Sequence, residues 1–199
     1  MNVATITAEI PLEQPLYQDK HTALVEQCMR GDRRAQYEIY RLYSKAMYNV
    51  CLRILNHVGE AEDVLQEAFL DAFQKINDFR QTSTFGAWLK QIVVNKAINQ
   101  LRQRKVQWVD VTETNHEYSE HFRAEESYDD GELTLHVSRV REAIQQLPDG
   151  FRTVLSLYLL EGYDHEEIAE VLHISESTSR TQFMRAKKRL MELLGSKAA

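Results

Sequence analysis

The chain has 199 residues, room for one domain or two small ones, and its 43% hydrophobic content allows an ordinary core. Its formal net charge is −6, from 24 basic and 30 acidic side chains, which at first sight excludes a nucleic-acid binder. The charge is segregated, though: residues 21–106 carry a net +4, residues 110–132 a net −8 and residues 175–197 a net +4, so the whole-chain value is a poor guide to partners.

Residues 1–20 hold two of the three prolines among mixed polar residues and read as a flexible tail. They lack the cationic start and apolar stretch of a signal peptide. No apolar run is long enough to span a bilayer, so a soluble, cytoplasmic chain is expected. From His21 the pattern is helical: a short helix around 21–30, a long one from Arg33 to Leu55, and a break over Asn56 to Gly59. A helix from Glu60 to about Asn77, a loop over Asp78 to Ser83 and a helix from Thr84 to about Lys105 follow. Cys28 and Cys51 fall in apolar-periodic stretches and read as buried thiols. No CxxC, Cys/His cluster or histidine ligand spacing occurs, so neither a metal nor another cofactor is implied.

Residues 107–132 are acidic, lack helical periodicity and read as a linker; Val106 to Val111 is the one short stretch with strand-like alternation. A second domain is expected from Leu133 to the end, with one helix ending at Gln146 before Pro148 and another from Asp149 to Glu161, stopped by Gly162. The fold class is all-α: two small helical domains on a flexible acidic linker.

Residues 164–194 carry the sharpest signal. Asp164 can cap a short helix, with Glu167 completing a capping box and Ile168, Ala169 and Leu172 as its apolar stripe. His173 and Ile174 make a turn, and Ser175 can cap a second helix buried along Phe183, Ala186, Leu190, Leu193 and Leu194. That is a helix-turn-helix. The outer face of its second helix carries Ser177, Thr181, Met184 and Lys188, flanked by Thr178, Arg180 and Arg185: hydroxyls and cations that reach phosphates and base edges.

Two further stretches, LVEQCMRGDRRAQYEIYRLYSKAMYNVCLRIL and EAEDVLQEAFLDAFQKINDFRQTSTFGAWLKQIVVNKAIN, resemble the first conserved domain of bacterial sigma factors, in the extracytoplasmic-function (ECF) subfamily of the sigma-70 family. LPDGFRTVLSLYLLEGYDHEEIAEVL is similar to the start of the same subfamily's −35 domain. The resemblance covers 20–106 and 136–195, about three quarters of the chain, with two unlike motifs in family order. It implies region 2 over 21–106 and region 4 over 133–199, with core RNA polymerase, promoter DNA and a cognate anti-sigma factor as partners.

Carried over residue by residue, the resemblance assigns Asp63, Gln66 and Glu67 to core polymerase. It assigns Arg80, Gln81, Thr82 and Ser83 to a loop receiving a flipped −10 base, and Asn95, Asn99 and Arg102 to −10 DNA. Ser177, Thr178, Arg180, Thr181 and Arg185 are assigned to the −35 element, and the helical wheel adds Lys188. Trp88 shares a face with Phe85, Leu89 and Ile92, so a core position outweighs a base-stacking one. Three positions depart from the family: Gln81, often glycine; Ser179, usually apolar, expected to loosen helix packing; and Gln182, often basic, expected to alter the DNA-facing chemistry.

The implied function is promoter recognition with core polymerase. The alternatives are a plain helix-turn-helix regulator, which would need neither the docking helix nor the −10 loop, and a sigma-like decoy without initiation activity. No phosphate loop, paired carboxylates or nucleophile elbow supports an enzyme.

Overall fold

The computed structural model describes residues 20–104 and 131–196. All but the last residue of the assigned tail, all but the last two residues of the linker, and the Val106–Val111 stretch lie outside the described residues. Within them the chain is helical, with no strand.

The first half has four helices: α1 (Thr22–Met29), α2 (Arg33–Leu55), α3 (Val58–Gln74) and α4 (Phe85–Gln103), with a 3₁₀ turn over Ile76–Asp78. Side-chain caps explain the starts. Asp32 accepts from the Arg34 and Ala35 amides at 2.8 and 3.4 Å, and Thr84 Oγ1 from the Ala87 amide at 3.0 Å. Helix α3 begins two residues earlier than periodicity suggests, because His57 Nδ1 takes the cap role, accepting from the Glu60 amide at 3.2 Å. Gly59 therefore lies inside the helix instead of in the break. Asn56 ends α2 in the left-handed region, φ 52°.

The second half has α5 (Gly131–Gln145), α6 (Asp149–Ser156), α7 (His165–Leu172) and α8 (Glu176–Ser196). The helix expected over 149–161 is α-helical only to Ser156; residues Leu157–Glu161 form a wider π turn before Gly162, φ 80°. The wide turn buries Leu157 and Glu161 while Tyr158, Leu159 and Leu160 face solvent.

Helices α2, α3 and α4 pack mutually around Ile39, Ile54, Leu55, Phe85, Leu89, Ile98 and Leu101, all buried. The same core continues into Val154, Leu157, Ile168 and Leu172 of the second half. A smaller cluster, Leu147, Leu155 and Ala186, backed by Ile144, Phe151, Leu190 and Leu193, fixes α8 against α5 and α6.

Cys28 and Cys51 are buried and unbridged, as their periodic positions suggested. Burial, with the charge of Asp32, pushes the Cys28 thiol up to about 11. Burial pushes Cys51 up to about 12, against a smaller downward pull from its own backbone hydrogen bond.

Candidate nucleic-acid interface

Helix α3 turns Val64, Leu65, Ala68 and Phe69 inward, which puts Asp63, Gln66 and Glu67 on its exposed edge with Leu70. Lys96 of α4 crosses behind this edge, 3.3 Å from Glu67 and 3.1 Å from Asp71. Burial alone would lower the Lys96 pKa, but the hydrogen bonds and charges of Asp71 and Glu67 outweigh it and the net shift is upward. Beside Gln66 an open cleft of about 440 Å³ runs between Tyr40, Ser44, Lys45 and Tyr48 of α2 and Glu62 and Leu65 of α3. The α2 side of this cleft was not singled out from sequence. Its signal was there, in Tyr40, Ser44 and Tyr48 at steps of four along one helix.

Arg80, Gln81, Thr82 and Ser83 are all exposed in the loop between the 3₁₀ turn and α4. Gln81 adopts φ 57°, the left-handed region where glycine is unstrained and a residue with a Cβ is uncommon. The loop's ends are fixed by aromatics: Phe79 lies 5.6 Å from Phe85 and 5.4 Å from Trp88, centroid to centroid. Trp88 is partly buried and packs on the core, in keeping with its predicted place.

On α4, Asn95 and Asn99 are exposed and Arg102 half-buried. Arg102 Nη1 donates to Asn99 Oδ1 at 3.2 Å, so these two form one polar group. Arg102 Nη2 donates instead to the Val171 carbonyl of α7, at 2.8 Å.

The helix-turn-helix forms as its caps suggest. Asp164 and Glu167 close a capping box, with Asp164 Oδ1 accepting from the Glu167 amide at 2.8 Å and Glu167 Oε2 from the Asp164 amide at 2.9 Å. His173 makes the turn at φ 55°, and Ser175 Oγ caps α8, accepting from the Thr178 amide at 3.1 Å. Ser177, Arg180, Thr181, Arg185 and Lys188 are exposed and Thr178 is half-buried. Thr181 Oγ1 donates to the Ser177 carbonyl at 2.8 Å, and Arg180 pairs with Glu176 one turn back.

Two expectations about α8 are corrected. Ser179 does not loosen the helix pair: it is fully buried and its Oγ hydrogen-bonds His165 Nδ1 of α7 at 2.9 Å. The imidazole stacks on Tyr158 at 4.6 Å and meets Phe183 edge-on at 5.7 Å. Gln182 does not face outward, being only 8% exposed, so its replacement of a basic residue changes packing and not the outer face.

This geometry agrees with what comparison of sequences finds. Residues 39–106 match the Sigma-70 region 2 family and residues 138–190 the Sigma-70, region 4 family. The RNA polymerase sigma-H factor of Pseudomonas aeruginosa is 34% identical over 185 residues, 90% of this chain and 96% of that protein. The ECF RNA polymerase sigma factor SigW of Bacillus subtilis is 32% identical over 176 residues, 85% of this chain and 94% of that one. In fold, the chain is similar to the sigma factor RpoE of Bartonella quintana, solved with the anti-sigma factor NepR: TM-score 0.54 and 23% identity over 80% of this chain and 96% of that one. CnrH, solved with the cytosolic domain of CnrY, gives TM-score 0.51 and 24% identity over 87% and 96%. The chain belongs to the sigma-70 family of RNA polymerase sigma factors, in its ECF subfamily.

Proposed function

We propose that region 2 spans residues 21–106 and region 4 residues 133–199, and that the chain binds core RNA polymerase and directs it to promoters by reading a −35 duplex and a melted −10 element. The observation that carries this reading is one chain offering two dissimilar polar surfaces. One is the capped helix-turn-helix with Ser177, Arg180, Thr181, Arg185 and Lys188 outward. The other is a separate half with the Asp63–Gln66–Glu67 edge, the exposed 80–83 loop and the Asn95–Asn99–Arg102 face. A simple repressor needs only the first.

Each surface has chemistry suited to its task. Arg185, Lys188 and Arg180 neutralise phosphates, and arginine also reads guanine edges in the major groove. A base taken out of the stack costs a few kcal/mol, and the 80–83 loop supplies donors and acceptors to recover it. Asn95 and Asn99 carry amides that match adenine. The acidic edge of α3 suits a polar contact on the polymerase. The polymerase performs the chemistry; this chain contributes recognition and works in the cytoplasm. A cognate anti-sigma factor, the partner type bound to RpoE in its solved complex, is the expected antagonist.

The test is transcription in vitro with core polymerase from the source organism on fragmented genomic DNA. New discrete transcripts that depend on the chain support the reading. Core binding without transcripts favours a decoy, and neither result favours an ordinary regulator.

A further inference from the structure

Lys96 belongs to α4, yet its ammonium serves two carboxylates of α3. Lys96 Nζ donates to Glu67 Oε2 at 3.3 Å and lies 3.1 Å from Asp71 Oδ2. Its side chain is 24% exposed, against 65% for Glu67 and 34% for Asp71, so the ammonium sits behind the edge of α3 and Glu67 stands in front of it. Lys75, one turn beyond Asp71, adds a looser contact at 3.9 Å. Asp63, Gln66 and the exposed Leu70 share this edge.

Glu67 and Asp71 are four residues apart on one helix, so their side chains are neighbours and their like charges repel. Without a cation between them the two carboxylates would swing apart, and Glu67 would keep a rotamer freedom that docking has to take away. The shared ammonium removes both obstacles. It offsets the repulsion, and it grips Glu67 through Oε2, which leaves Oε1 to accept from an incoming donor. Exposed ion pairs add little stability, so the consequence of this triad falls on the orientation of Glu67 more than on the fold.

We propose that Lys96 is a positioning residue for docking on core RNA polymerase. It holds the Glu67 carboxylate in its docking orientation from behind, across the α3–α4 packing, and makes no contact with the polymerase itself. The role rests on the reading of the Asp63–Gln66–Glu67 edge as the docking surface.

Titration of core RNA polymerase from the source organism with the full chain tests it, through the dissociation constants of four variants. Lys96→Met keeps the length of the side chain, removes the charge, and should weaken binding several-fold while the circular dichroism spectrum and melting temperature hardly move. Lys96→Arg should restore most of the affinity, because a cation again lies between the carboxylates. Glu67→Gln should also weaken binding, and the Lys96→Met, Glu67→Gln double variant should be little worse than Glu67→Gln alone, since Lys96 acts through Glu67. Several results overturn the positioning role while leaving the docking surface in place. These are wild-type affinity in Lys96→Met beside a weakened Glu67→Gln, tighter binding by Lys96→Met, fully additive losses in the double variant, or no rescue by arginine. A large drop in the melting temperature of Lys96→Met would make the residue structural and overturn the role as well. Wild-type affinity in both Glu67→Gln and Lys96→Met rejects the docking edge itself, and the positioning role with it.

Discussion

Ser179 Oγ lies 2.9 Å from His165 Nδ1, tying the buried side of α8 to the first residue of α7. The two helices of a helix-turn-helix usually meet through apolar side chains; here a buried hydroxyl is satisfied by an imidazole clamped between Tyr158 and Phe183. Removing one partner strands the other. His165→Ala should cost about 1–3 kcal/mol of stability, because Ser179 is left buried without its hydrogen bond. Ser179→Ala should cost about 1 kcal/mol, since His165 is only partly buried and water can replace the hydroxyl. Chemical denaturation of both single variants and the double variant gives the coupling; strict additivity would remove the pair's importance.

On the outer side of α8, Arg185→Ala should weaken −35 binding by about 1–3 kcal/mol with relaxed specificity if it reads a base, or by a smaller, sequence-independent amount if it holds a phosphate. Lys188→Ala should act the second way and reduce the salt slope. Both side chains are exposed, so thermal stability should hardly move. Titration of mapped −35 duplexes at two salt concentrations separates the cases, and unchanged affinity in both variants would reject this face as the DNA surface.

Much of this was legible in the sequence because it is local. The capping box of Asp164 and Glu167, the Ser175 cap, the Gly162 stop and the buried phase of α2 to α4 all depend on neighbours within one or two turns. The inward turn of Gln182 and the rescue of Ser179 were not legible, because each depends on a facing helix. The start of α3 was misplaced because a histidine cap is an uncommon one. The pairing of α2 with the π turn was invisible for a stronger reason. Arg53 and Glu161 are 108 residues apart, and nothing in either local pattern marks them as partners.

Replacing Asp63 and Glu67 together with alanine should impair core binding while leaving the fold intact. Both are exposed, and Lys96 keeps Asp71 at 3.1 Å when Glu67 is removed. Loss of one exposed pair costs less than about 1 kcal/mol. Core pull-down alongside circular dichroism checks both halves of the statement; retained binding would reject this edge of α3.

Gly86 sits where a Cβ would lie 2.9 Å from Tyr43 Cε1. That ring cannot swing away cheaply: its hydroxyl is 2.9 Å from His21 Nδ1 and its face packs edge-on to Phe85 at 5.5 Å. Gly86→Ala, in the first turn of α4, would gain less than about 1 kcal/mol of helix propensity but incur about 1–3 kcal/mol of overpacking. The net expectation is a lower melting temperature, and a higher one would mean that Tyr43 relaxes freely. A Tyr43→Leu background should shrink the penalty.

The two thiols predict a specific alkaline weakness. Cys51, raised to about 12, and Cys28, raised to about 11, both start from 9.0 in the unfolded chain. Above pH 9.0 the unfolded chain loses these protons while the folded chain keeps them, so unfolding binds fewer protons and stability falls with pH until the folded thiols titrate. Well below pH 9.0 the thiols contribute no slope. Lys96 acts in the same direction at higher pH: its raised pKa stabilises the fold below the ordinary lysine value of 10.5 and that contribution fades above it. Denaturation midpoints from pH 7 to pH 11 should therefore decline from about pH 9 upward, and Cys51→Ala should flatten the decline at the expense of some packing. At neutral pH both thiols should react with a disulfide reagent only as fast as the chain opens. Rapid reaction of Cys51 in the folded chain, or a flat profile through pH 10, would contradict the buried environments on α1 and α2 from which the two expectations come.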